Sequence, residues 1–163
     1  MSRLDRFREA QNSPHFGFES AFHEIQTGRK IGHWIWYVFP QIAGLGTSPN
    51  SQAFAIDSEA EAMEYLRDTE LRSRLISITR AVAEQLKTGR AKSLRDLMGS
   101  DMDARKLVSS LTLFGHVAKK LHETECLEEF GEMAALSDEV LSKAASQNYP
   151  PCEYTLRSLR GRV

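Results

Sequence analysis

A chain of 163 residues with 41% hydrophobic side chains can bury a sizeable core without staples. Its 21 basic and 22 acidic residues nearly cancel, which excludes a global field that would gather nucleic acid or an anionic membrane, so any anion binding must be local. Two cysteines, Cys126 and Cys152, lack the number and spacing of a zinc site or a secreted disulfide framework.

The first elements read in chain order are helical. Arg3, Asp5, Arg6, Arg8 and Glu9 stand where a signal peptide needs apolar side chains, so a cytoplasmic location is expected. Short helices are expected over 4–10 and 18–26, the second closed by Gly28. The segment WIWYVF, residues 34–39, has strand-like composition but stands alone among helices. An unpaired strand would orphan its backbone groups, so a short helix ending before Pro40 is expected. It is far shorter than the roughly 20 residues that span a bilayer, and no membrane partner is expected.

Beyond it, Ser58 and Glu61 have capping-box spacing ahead of a helix containing Ala62, Tyr65 and Leu66. Leu71, Leu75, Ile78, Val82 and Leu86 form one apolar stripe that Gly89 can end in a left-handed cap. After a short helix over 93–97, Ser100 and Asp103 open a second long stripe through Leu107, Leu111, Phe114, Ala118 and Leu121. Helices over 126–135 and 137–145 follow, NYPP at 148–151 interrupts, and a terminal helix is expected around 154–159. The fold class is all-α: a compact single domain over 1–163 with about seven to nine helices around two long central ones.

Chemistry-bearing residues gather in two blocks. The first holds Arg29, Lys30, His33, Trp34, Trp36, Gln41, Gly44, Gly46 and Ser48. Its Gly-Leu-Gly is not a dinucleotide fingerprint, because Pro49 stands where the third glycine belongs and no βαβ unit surrounds it. Two glycines still permit close backbone approach, and Ser48 can cap a following helix. Trp34 and Trp36 point about 200° apart on a helix, so one is expected in the core and the other on a pocket wall. His33, between two cations and an aromatic wall, is the candidate acid, base or switch. The second block places Lys106, Ser109 and Ser110 on one helical face, with Asp101 and Asp103 a turn earlier. The five histidines show no i, i+4 pair and no Cys at a ligand spacing, so neither metal nor cofactor is implied.

The stretch GRKIGHWIWYVFPQIAGLGTSPNSQAFAI resembles the signature of the domain-of-unknown-function family 1810, and DARKLVSSLTLF resembles its second block. The matching positions are Gly28, Lys30, His33, Trp34, Trp36, Phe39, Pro40, Gln41, Gly44, Gly46 and Ser48, then Lys106, Ser109, Ser110, Thr112 and Phe114. Gly32 stands where a serine is expected before His-Trp, and Cys152 where an acidic residue is expected near the terminal Thr-Leu. The resemblance spans about 7–159 and implies a mostly helical cytoplasmic domain without an established activity. A fainter similarity connects the family to NADAR domains, which process ADP-ribosyl and riboside N-glycosidic bonds.

Two functions are open at this point. In the first, an enzyme acts on a nucleotide-like or phosphorylated riboside ligand, with N-glycosidic hydrolysis as its reaction. Arg29 and Lys30 hold phosphate, a tryptophan stacks on the base, His33 is acid or base, and Asp101 or Asp103 orients water. In the second, the same basic-aromatic cleft is a non-catalytic binding module for a small anionic ligand or peptide.

Overall fold

The structure, a computed structural model, describes residues 3–161. Among these it has ten helices: α1 (Asp5–Gln11), α2 (Phe18–Thr27), α3 (Ile35–Val38), α4 (Pro49–Ala53), α5 (Glu59–Arg67), α6 (Thr69–Thr88), α7 (Leu94–Met98), α8 (Asp101–Glu125), α9 (Glu128–Ser146) and α10 (Glu153–Leu159). The fold is all-α. One isolated parallel bridge joins Ile42 and Ile56, where Ala43 donates its N–H to the Ile56 carbonyl at 2.8 Å and Ile56 donates to Gln41 at 2.8 Å. It ties the two ends of the 41–56 segment together.

The long helices follow from their stripes. Along α6, Leu71, Leu75, Ile78 and Val82 are buried, Asp68 accepts the Leu71 N–H at 2.9 Å, and Gly89 closes the helix at φ 71°. Along α8, Leu107, Leu111, Phe114, Ala118 and Leu121 are buried, and Ser100 accepts the Asp103 N–H at 3.1 Å. Each of these buried leucine, isoleucine, valine and phenylalanine side chains contributes about 1.5–3 kcal/mol relative to exposure. At α5 the capping pair is only half formed. Ser58 accepts the Glu61 N–H at 3.2 Å, but the Glu61 carboxylate takes the Asp57 N–H and the Arg6 guanidinium instead of turning back to Ser58.

The expected division between 126–135 and 137–145 is absent: α9 is continuous. Ser137, where the second helix is expected to begin, is fully buried within α9 against Gly115 of α8. A Cβ at Gly115 would meet the Ser137 Cβ at 2.9 Å, so the missing side chain is what lets the two helices close. α9 packs extensively on α8 and also on α6, so a third long helix lies between the two expected at the centre. The core forms one contiguous cluster from Leu4 to Tyr149. Among the described residues no helix is long and apolar enough to cross a membrane.

α3 ends before Pro40, as its sequence context predicts. Its approach to the start of α8, together with the docking of α10 on α8, creates the concavity described next.

Candidate functional site

The two tryptophans divide as their spacing requires. Trp34 is fully buried, its indole N–H donating to Glu24 Oε1 at 2.9 Å, while Trp36 is half-buried and lines a cleft. Glu24 also accepts the N–H groups of Ile31 and Gly32 at 2.6 and 2.8 Å. Burial works to raise the pKa of this carboxyl, but the Gly32 and Ile31 amides, the Trp34 indole and nearby Lys30 together hold it below its ordinary value.

The cleft has a volume of about 700 Å³ and three walls. Trp36 of α3, Gln41, Leu45, Gly46, Thr47 and Ser48 of the segment between α3 and α4, and Ser51 of α4 form the first. The first half of α8 gives Met102, Arg105, Lys106, Val108 and Ser109. The third wall is Tyr149, Pro150, Pro151, Cys152 and Glu153, the turn into α10. That turn is anchored at several points. The Cys152 N–H donates to Thr112 Oγ1 at 3.1 Å, the Ser109 and Thr155 hydroxyls lie 3.3 Å apart, and the Tyr154 hydroxyl donates to the Ala43 carbonyl at 3.0 Å.

The cleft's charges are arranged in two relays on α8. Lys30, 6% exposed, sets its ammonium 2.6 Å from Asp103 Oδ2, donates to the Gly32 carbonyl, and sits 5.0 Å from the Trp34 ring centre. The other oxygen of Asp103 is 3.6 Å from Lys106, whose ammonium lies 4.8 Å over the Trp36 ring inside the cleft. Two lysine–tryptophan contacts therefore share one carboxylate. In the second relay, Asp101 accepts from Arg105 Nε at 2.9 Å and from the Tyr149 hydroxyl at 2.7 Å. Those two hydrogen bonds, Arg105 first, hold the Asp101 carboxyl below its ordinary pKa, and donating to Asp101 raises that of Tyr149.

Of the residues singled out in the sequence, Trp36, Gln41, Gly46, Ser48, Lys106 and Ser109 line this cleft. Asp101 and Asp103 stand behind it, each bonded to lining side chains. Arg29 and His33 are exposed and outside the lining, as are buried Lys30, Trp34 and Ser110 and exposed Gly44. Gly44 serves packing: at φ 103°, a Cβ there would meet the Tyr154 hydroxyl oxygen at 1.9 Å. Gly46 is equally constrained, its absent Cβ leaving room for Ser51 Oγ at 2.6 Å. The Ser48 hydroxyl caps α4 by accepting the Ser51 N–H at 3.2 Å and donates its own hydrogen to Ser51 Oγ at 2.9 Å, so neither donor is free for an anion. Arg105, Met102 and the 149–153 wall were missed. The double proline had marked only a helix break, and no local periodicity brings residue 149 to residue 105.

Among solved structures, the crystal structure of the conserved hypothetical protein Rv1873 from Mycobacterium tuberculosis is similar to this chain, with a TM-score of 0.72 and 30% sequence identity over 98% of this chain and 97% of that one. No curated protein matches. The family described as "Protein of unknown function (DUF1810)" matches residues 1–139, which takes in the first two walls of the cleft and stops short of the third. The motif resemblance extends to about residue 159, whereas the family match ends at 139, so the last wall and α10 lie outside it. With most of its length matched, the chain belongs to the DUF1810 family.

Proposed function

We propose that this protein is a binding module whose cleft holds a small anionic molecule with a flat apolar body. The observation that carries this reading is the position of Lys106: its ammonium lies in the cleft over Trp36, and its nearest carboxylate is already engaged more closely by Lys30. A lysine whose partner is shared keeps attraction to spare for a ligand. Trp36, Tyr149 and the proline pair offer rigid apolar surface beside it. Gln41 adds an amide to the lining that can orient a polar edge.

The hydrolytic reading has less support. N-glycosidic cleavage of a nucleotide-like ligand needs an acid or base at the bond. His33 lies outside the lining, and Asp101 and Asp103 are committed to Arg105, Tyr149, Lys30 and Lys106.

Thermal unfolding with AMP, ADP-ribose and aromatic carboxylates, combined with a search for released product, tests the choice. A ligand at about 100 times its Kd should stabilise by about 2.7 kcal/mol. The rise should survive in His33→Gln, vanish in Lys106→Met, and come without product. Product from the wild type that disappears in His33→Gln would establish the hydrolytic reading instead.

A further inference from the structure

Resting on that binding reading, we infer that the cleft selects a monoanion, specifically a carboxylate on a flat apolar body, and discriminates against phosphates carrying two or more charges. The charges of the lining and of the groups bonded to it largely pair off. Arg105 is matched by Asp101, and Lys30 is matched by Asp103. That leaves Lys106, which has only the more distant share of Asp103, and Glu153, exposed on the third wall with no ion-pair partner among the described residues, as the lining charges without a full match. A single carboxylate meets Lys106 and adds nothing for Glu153 to repel beyond one charge. A phosphate monoester carries about −1.5 to −2 at neutral pH, so part of its charge would enter an apolar cleft unmatched and face a carboxylate. Little compensation for phosphate comes from α4, a helix of five residues: Ser48 already takes the Ser51 N–H and Pro49 has none to offer, which leaves the Asn50 amide alone in its first turn.

The test is calorimetric titration at low ionic strength with 2-naphthoate, AMP and ADP, on the wild type, Lys106→Met, Trp36→Ala and Glu153→Gln. We expect 2-naphthoate to bind at least tenfold tighter than AMP, with ADP no better than AMP. Glu153→Gln should narrow that gap two- to fivefold by improving the phosphates more than the carboxylate. AMP or ADP binding tighter than 2-naphthoate, and losing affinity in Lys106→Met, would overturn the monoanion inference and leave the binding cleft standing. A gap unchanged in Glu153→Gln would also overturn the charge balance. Absence of binding by all three, or binding indifferent to both Lys106→Met and Trp36→Ala, would defeat the cleft reading and this inference together.

Discussion

Lys30 closes on Asp103 at 2.6 Å from the interior side, leaving the far oxygen of the same carboxylate 3.6 Å from Lys106 in the cleft. A buried lysine thus governs how much of Asp103 the cleft-side lysine receives. Lys30→Met should cost about 3 kcal/mol, the lower end for a broken buried pair, because the Asp103 side chain keeps 18% exposure. Asp103 should then turn to Lys106 and weaken anion binding. Urea unfolding checks the first effect and ligand titration the second, with exposed Arg29→Ala as a control that changes neither. An unfolding midpoint unmoved by Lys30→Met would show that the pair holds nothing.

The tryptophans should separate stability from binding. Trp34→Ala removes a fully buried indole and its bond to Glu24 and should cost about 3–5 kcal/mol. Trp36→Ala removes a cleft wall; it should cost well under half of that and abolish ligand-induced stabilisation. Equal, large losses of stability in both variants would make the pair purely structural.

Glu24 should leave a signature at acid pH. Its folded pKa lies below the ordinary carboxylate value, so the unfolded chain takes up the proton first as pH falls. Its contribution is therefore complete above about pH 4.3, the ordinary glutamate value, and fades as pH drops through the lower folded value. The difference in melting temperature between wild type and Glu24→Gln should be largest near pH 7 and shrink below pH 4. A difference that grows on acidification would reverse the sign and reject the carboxylate's role in holding the 31–34 turn.

Gly44 and Tyr154 form the joint between the first and third walls. Gly44→Ala should destabilise by about 1–3 kcal/mol, because the backbone is left-handed there and the new methyl would displace the tyrosine that donates to Ala43. Combining it with Tyr154→Ala should recover the clash component but not the backbone component, so the two costs should not add. Strict additivity in chemical denaturation would show that the two residues do not meet.

The elements legible in the sequence are those with a local cause. The stripes of α6 and α8, the caps at Ser58, Gly89 and Ser100, and the short α3 before Pro40 each follow from residues within a few positions of one another. The opposed tryptophans were legible for the same reason. The boundary expected at 136–137 is absent for a tertiary reason: the gap at Gly115 admits Ser137 to a helix interface, and α9 runs on through it. The cleft was half legible, since Trp36 and Lys106 came from the two blocks. Lys30 and His33 carry the residue types of a site, yet one is consumed by Asp103 and the other lies outside the lining. Tyr149 and Glu153 were invisible because only the docking of α10 on α8 brings them there.

The central claim, that ligand binds beside Trp36 and Lys106, has a direct probe in the two indole N–H groups of this chain. In a nitrogen-15 labelled sample, the indole cross-peaks can be assigned with Trp36→Phe and followed while 2-naphthoate or AMP is added. The Trp36 peak should move saturably, and the Trp34 peak, held by Glu24 in the core, should stay nearly still. Lys106→Met should abolish the movement. A Trp36 peak that does not move while the protein binds ligand, or movement confined to Trp34, would contradict the assignment of this cleft.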